Sequence, residues 1–217
     1  MAEAETTGRQ RNKTRAGVAN IDKILDSALS AFARHGLRGT RVDQIAEAAG
    51  MSKTNLLYYF RSKEALYAAV LTRTLAVWIT PLAELEATRD PAVALAAYIA
   101  QKLDCSRRFP EASRLFAIEI MQGAPHLKEV LATELTELIE KKRVIINRWI
   151  SDGKLRPIEA HHLLFMIWAT TQHYADFAAQ IITLTGKDLS DEAFYESTRA
   201  ALTETILRGV LAGPGRA

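Results

Sequence analysis

The chain has 217 residues, 48% of them hydrophobic and 24% charged, with a formal net charge of +3 and a single cysteine, Cys105. The length suits one large domain or two small ones, and the apolar fraction permits a real core. A lone cysteine rules out an internal disulfide and fits a reducing compartment. Glu3 and Glu5 without an apolar segment argue against a signal peptide, and no apolar run approaches the ~18–20 residues that span a bilayer. The expectation is a cytoplasmic protein with no membrane partner.

The charge is uneven. Residues 1–63 hold eleven Lys/Arg against six Asp/Glu, a net +5, and the remainder holds seventeen against nineteen, a net −2. A basic head on a faintly acidic body suits a duplex-binding module joined to a second domain.

In chain order, residues 1–19 carry Arg9, Arg11, Lys13 and Arg15 without apolar periodicity and read as a disordered basic arm. Asn20 or Asp22 opens the first helix, whose Ile21, Ile24, Leu25, Ala28, Leu29 and Phe32 form a core-facing stripe, and Gly36 stops it. In TRVDQIAEAAGMSKTNLLYYFRSKEAL, residues 40–66, Thr40 can cap a short helix with Asp43 in the place of a capping-box acid. Val42, Ile45, Ala46 and Ala49 form its apolar face, and Gly50 ends it in the left-handed region. Ser52 caps the next helix. Leu56 and Phe60 point inward, while Lys53, Thr54, Asn55 and Tyr59 face outward. A short helix pinned on one side and rich in donors at its N-terminus suits the major groove.

This stretch, T-x(4)-I-A-x-x-A-G-x-S-x(6)-Y-F-x-x-K-E-x-L, resembles the DNA-binding signature of TetR-type transcriptional repressors over 27 residues. One departure is Leu57, where members often carry Tyr, so that residue's phosphate contact is not carried over. The resemblance, with the helix faces, implies base-edge and nearby contacts from Lys53, Thr54, Asn55, Tyr58 and Tyr59. Backbone contacts would come from Thr40, Arg41, Ser52 and Lys63.

Ser62 caps a longer helix through Tyr67, Val70, Leu75 and Trp78 that Pro81 ends or kinks. From Pro91 the body reads as helices alone, breaking at Pro110, Gly123, Asp152-Gly153 and about Thr185, with single helices over 126–150 and 157–185. The fold class is therefore all-α, about nine helices: residues 20–66 form a three-helix head and 67–217 a bundle for ligand binding and dimerisation. Leu163–Ala169 is apolar on every side, and a helix apolar all round must be covered all round. A second copy packed on the last two helices would cover it, and TetR-like proteins are similar in dimerising there. Two heads on a dimer suit a palindromic site.

For an effector, Trp168 and Gln172 lie four apart on one helix face and Trp78 ends the connecting helix. A primary amide beside an indole suits a flat ring with adjacent N–H and C=O groups. Core aromatics and a Gln bonded to a neighbouring helix are the plain alternative. SKTNLLYYF, SKEALY, EASRLF and above all FMIWATTQHYADFA resemble one branch of the family, the Rut-type regulators of pyrimidine utilisation. That resemblance implies a repressor released by uracil or thymine, with Trp78, Trp168 and Gln172 in the pocket. Tyr67, Arg114, Phe116 and Tyr174 are further candidates by helix face. One rival is a repressor of efflux or catabolic genes sensing a more hydrophobic molecule. Another is an enzyme using His173, Asp176 and Glu119. No P-loop, Rossmann glycine pattern or nucleophile elbow is present, so no enzyme, cofactor or metal is expected.

Overall fold

The computed structural model describes the backbone of residues 2–86 and 90–213, and side chains from residue 17 onward. Its helices are α1 (Ala2–Gly39), α2 (Val42–Ala48), α3 (Lys53–Tyr59), α4 (Lys63–Ala83), α5 (Pro91–Arg108), α6 (Pro110–Met121), α7 (Lys128–Val130), α8 (Thr136–Ser151), α9 (Ala160–Asp176), α10 (Ala178–Thr185) and α11 (Glu192–Val210). Leu131–Leu135, between α7 and α8, is π-helical. The described residues hold no strand; the one β contact is an isolated antiparallel bridge between Leu155 and Leu211. The fold is all-α.

Three boundaries differ from expectation. First, α1 starts at Ala2 rather than at Asn20 or Asp22, so the segment expected to be irregular is helical. No proline stands before Pro81, and Ala, Glu, Gln, Arg and Lys all favour helix. The basic side chains of this arm lie outside the described residues. Second, the helix expected over 126–150 starts at Lys128 and passes through the π segment. There Thr136 Oγ1 donates to the Leu131 carbonyl, five residues back, at 2.9 Å. Third, the helix expected over 157–185 breaks at Phe177 (φ −111°, ψ 30°) into α9 and α10. No residue of α10 is buried, so no packing holds the two in one line.

The caps follow the sequence more closely. Ser52 accepts from Asn55 N at 3.2 Å and Ser62 from Ala65 N at 3.0 Å. Asp90 accepts from Ala92 N ahead of Pro91, and Asp191 from Phe194 N. Thr40 does not cap α2. Arg41 occupies that position without a side-chain bond, because the Thr40 hydroxyl turns back onto the carbonyls of Gly36 (2.7 Å) and Ala31 (3.1 Å). Gly36 (φ 66°) is what turns the chain there, a conformation cheap only for glycine.

Two compact units result, residues 1–72 and 73–217, with the division falling inside α4. In the first, Ile24, Ala28, Phe32, Ile45, Leu56, Leu66, Val70 and Leu71 are buried, and Phe32 meets Tyr67 edge-on at 5.0 Å. In the second, α9 lies against α5, α6, α8 and α11. Its core gathers Leu82, Leu95, Tyr98, Ile99, Ile146, Trp149, Leu163, Leu164, Ile167 and Ile206. By length and apolar content α4 alone among the described helices meets what a bilayer span requires, which the sequence reading did not find. Half of that apolar stretch is buried in protein. Its Leu66, Leu71, Leu75 and Leu82 are core residues.

The C-terminal carbonyls of α4 have no partner in their own helix. Lys142 of α8 supplies one: its Nζ donates to the carbonyls of Ala83 and Leu85, both at 2.8 Å, and its side chain is buried. Lys142→Met would leave the buried Leu85 carbonyl unsatisfied and the part-buried Ala83 carbonyl without this donor, a loss of roughly 1–3 kcal/mol. Urea unfolding monitored by tryptophan fluorescence should show that loss in the stability of the body.

Candidate functional site

The head presents its polar residues on α3. Leu56, 1% exposed, pins the helix to the core, while Lys53, Thr54 and Asn55 stand exposed at its N-terminal end. Tyr58 is 82% exposed and packs edge-on against Tyr59 at 5.4 Å. Tyr59 is half-buried and its hydroxyl accepts from Asn20 Nδ2 at 3.1 Å, which ties α3 to α1. Lys53 Nζ lies 3.1 Å from Asp43 and Arg41 3.7 Å from the same carboxylate. Exposed pairs of this kind are worth little and exchange readily for phosphate. Thr40, expected on the DNA-facing surface, is instead only 2% exposed with both its hydroxyl and its N–H bonded to α1 carbonyls. Lys63 Nζ donates to the Thr40 carbonyl at 3.1 Å and so holds the turn before α2.

The body has a cavity of about 40 Å³ lined by Leu75, Trp78, Ile79, Lys102, Phe116, Leu135, Trp168 and Gln172. The three residues read from the sequence as pocket residues, Trp78, Trp168 and Gln172, thus meet around one space. The faces explain it: Trp168 and Gln172 are one turn apart on one face of α9, Trp78 lies on the second half of α4, and Lys102 lies on α5.

Lys102 was missed by the sequence reading, although a signal exists. It stands three residues after Ile99 and seven after Leu95, on the apolar stripe of α5, which therefore carries a lysine inward. The side chain is 2% exposed. Its Nζ is 3.5 Å from Gln172 Oε1, at the limit of a hydrogen bond, and 4.7 Å from the centre of the Trp78 ring. Among the described residues no carboxylate forms an ion pair with it. Burial lowers its pKa from the ordinary 10.5 to about 8, the charges of Cys105 and Asp176 opposing that shift.

The remaining polar atoms are unequally matched. Trp168 Nε1 donates to the Tyr98 hydroxyl at 2.6 Å, which fixes the indole and leaves its ring for the cavity. Burial raises the pKa of that phenol. Trp78 Nε1 is buried and has no hydrogen-bond acceptor among the described residues. Asp176 accepts from Ser113 Oγ, and burial raises its pKa.

Of the further candidates, Phe116 lines the cavity, and Arg114 lines an adjoining groove of about 480 Å³ with Phe116, Ile118, Ile120, Met121, Gln172, Asp176 and Phe177, two of which the cavity shares. Tyr67 and Tyr174 do not come to the cavity. Tyr67 is in the core of the head against Phe32, and Tyr174 packs on Phe194 beside Leu103, Leu189 and Tyr195. Helix face alone misassigned them because both lie on helices buried on more than one side. His173 stacks on Phe177 at 4.9 Å, while Glu119 accepts from the His126 N–H at 2.6 Å. The groups named for an enzyme thus have separate partners. The described residues contain no group of three or more His, Cys, Asp or Glu side chains able to hold a metal.

Comparison with known proteins agrees with this division. Residues 24–70 match the model of bacterial regulatory proteins of the tetR family, and residues 71–213 match that of the YcdC-like protein, C-terminal region. The chain is 48% identical to the HTH-type transcriptional regulator RutR of Escherichia coli K12, over 95% of its own length and 96% of RutR. It is 28% identical to the HTH-type transcriptional repressor NicS of Pseudomonas putida, over 87% and 91% of the two chains. Among solved structures, SCO4942 of Streptomyces coelicolor superposes with a TM-score of 0.64 at 29% identity, covering 88% of this chain and 98% of that one. The fatty acid degradation regulator FadR of Bacillus halodurans, at 19% identity, shares the fold alone, with a TM-score of 0.62 over 84% and 94% of the chains. From the helix-turn-helix of its head to the helices of its body, the chain belongs to the TetR family, and its work is transcription regulation through DNA binding rather than catalysis.

Proposed function

We propose that the chain represses transcription in the cytoplasm as a homodimer on double-stranded operator DNA and leaves it when uracil or thymine enters the body cavity. The convergence of Trp78, Lys102, Trp168 and Gln172 on one small space carries this reading. A volume of about 40 Å³ is far below the roughly 300–1,000 Å³ of sites for drug-sized ligands, which supports a compact ring. Two indoles offer faces to stack on, and the Gln172 amide offers hydrogen-bonding capacity at the ring edge. The likeness to RutR over nearly the whole chain supports the same choice.

DNA binding is assigned to Lys53, Thr54, Asn55, Tyr58 and Tyr59 on α3, with Arg41, Ser52 and Lys63 beside them. The switch is assigned to α4, which starts at Lys63 and carries Trp78. A ligand shifts the equilibrium only as far as it prefers the conformation that does not fit DNA, so the work falls on contacts that differ between the two. For the dimer, the support is on α9, where Phe165 (49% exposed) and Met166 (39%) lie bare in the single chain beside Ala169. The last two helices as read from the sequence, which correspond to α9 with α10 and to α11, are its assigned interface.

The groove of about 480 Å³, with Ile118, Ile120, Met121 and Phe177 in its wall, favours a second reading, in which a larger hydrophobic molecule is the effector. Calorimetric titration with uracil, thymine and a cationic hydrophobic dye separates the two, since silence toward the bases with saturable dye binding would replace the first by the second.

Gln172→Ala is expected to weaken uracil binding about tenfold or more while operator affinity stays unchanged, giving a repressor that no longer responds. Lys53→Ala should do the reverse, weakening operator binding and making its log–log salt slope shallower by about one in a gel-shift series. Phe165→Glu combined with Met166→Glu is expected to sediment as a monomer and to lose binding to a two-half-site operator; an unchanged dimer would move the interface elsewhere. The depressed pKa of Lys102 has a stability consequence as well. Below pH 8 the folded chain bears the full penalty of a buried ammonium, about 3 kcal/mol for a shift from 10.5 to about 8. Between 8 and 10.5 the unfolded chain binds more protons than the folded one, so stability rises with pH there. Ligand-free Lys102→Met should therefore be more stable than the parent at pH 7, and the advantage should shrink toward pH 10.5 in thermal melts.

A further inference from the structure

The cavity is unbalanced in its hydrogen-bonding groups. Lys102 brings an ammonium at 2% exposure whose only hydrogen-bond acceptor among the described residues is Gln172 Oε1, at 3.5 Å. Trp78 brings a buried indole N–H with no acceptor among the described residues. With the Gln172 oxygen turned to the ammonium, the NH₂ is the part of that amide left to offer a ligand. Three donors, one of them charged, surround the space, and its other walls are Leu75, Ile79, Phe116, Leu135 and Trp168. Such a set matches a ligand rich in acceptors and carrying negative charge, because a buried cation without a counter-ion is the most costly of the three to leave unmatched.

Resting on the assignment of this cavity as the effector site, we propose that the ligand is held as an anion: an acidic cyclic imide gives up a ring N–H proton to solvent, and the resulting imidate lies against the Lys102 ammonium. The Trp78 N–H and the Gln172 NH₂ complete its acceptor contacts. The proton balance is simple below the pKa of Lys102. The free lysine is protonated, the free imide is neutral, and the complex of ammonium and imidate has one proton fewer, which passes to the buffer. Selectivity then follows N–H acidity as well as shape.

The charged groups around Lys102 are few. Cys105 lies one turn on along α5, and Asp176 of α9 is held by Ser113 of α6, with Arg114 and His173 acting on it. On the side of α4 and the π segment the lining residues Leu75, Trp78, Ile79 and Leu135 do not titrate. Asp176 is the nearest alternative counter-charge, and its hydrogen bond to Ser113 directs one carboxylate oxygen to α6 instead.

The test is calorimetric titration of the full chain at pH 7 with uracil and with 5-fluorouracil, nearly the same shape but a stronger N–H acid, each in two buffers of different ionisation heat. We expect release of about one proton per site and tighter binding of 5-fluorouracil, by a factor approaching the ratio of the two acid constants. Affinity for uracil should rise by up to tenfold per pH unit toward pH 8 and then level off. In Lys102→Met both the proton release and the preference for the stronger acid should vanish. Binding without proton release, with the two imides equal, would overturn the anionic mode and leave the effector site standing. Absence of binding by either imide would overturn both.

Discussion

An ammonium group shut away from water with an amide oxygen and an indole face for company is the constraint on which the body of this protein turns. Removing such a charge from water costs several kcal/mol. Its compensation here is one cation–π contact, worth about 2 kcal/mol when desolvated, and a hydrogen bond stretched to 3.5 Å. The shortfall is legible in the depressed pKa of Lys102. Everything that surrounds it has the character of a frame. Tyr98 fixes the indole of Trp168, Ser113 holds Asp176 to α6, and the hydroxyl of Thr171 turns onto its own helix at Ile167. A binding site organised ahead of its ligand loses little order when the ligand arrives.

The head solves a different problem with the opposite means. Its reading helix needs exposed donors, and a seven-residue helix has little stability of its own. Ser52 caps it, Leu56 anchors it, and Asn20 reaches from α1 to the Tyr59 hydroxyl. Thr40 and Lys63 serve the same end from beneath. Residues whose spacing resembles a DNA-contact signature therefore divide into those that meet solvent, such as Lys53 and Tyr58, and those that hold the turn.

Sequence alone carried much of this. Helical periodicity, prolines at first turns and glycines at ends gave the all-α class and most helix starts, because those signals are local. The motif in residues 40–66 was legible for the same reason, and Trp168 with Gln172 followed from their spacing of four. What sequence left out depends on long-range partners. Thr40 was read as a cap because a threonine before a helix usually caps it, and as a DNA-backbone contact by resemblance; the carbonyls of Ala31 and Gly36 that claim its hydroxyl are visible only once α1 is in place. Lys102 hid in an apolar stripe because lysine reads as solvent-facing. Tyr67 and Tyr174 sit on helices with two buried faces, where a helical wheel cannot say which face meets which neighbour.

The π-helical turn at Leu131–Leu135 has a consequence for how such a cavity changes over generations. A π turn holds one residue more than an α turn in the same rise, and Leu135, its last member, is part of the cavity wall. Deleting one residue there would return the backbone to ordinary α geometry without disturbing α8, whose Lys142, Ile146 and Trp149 stay anchored in the core. Because the wide turn already absorbs the extra residue, the flanking segments would keep their phase and only the side chains of the turn itself would be re-aimed. A single codon lost or gained thus changes which side chain of the turn lines the cavity while the rest of the scaffold stays as it was.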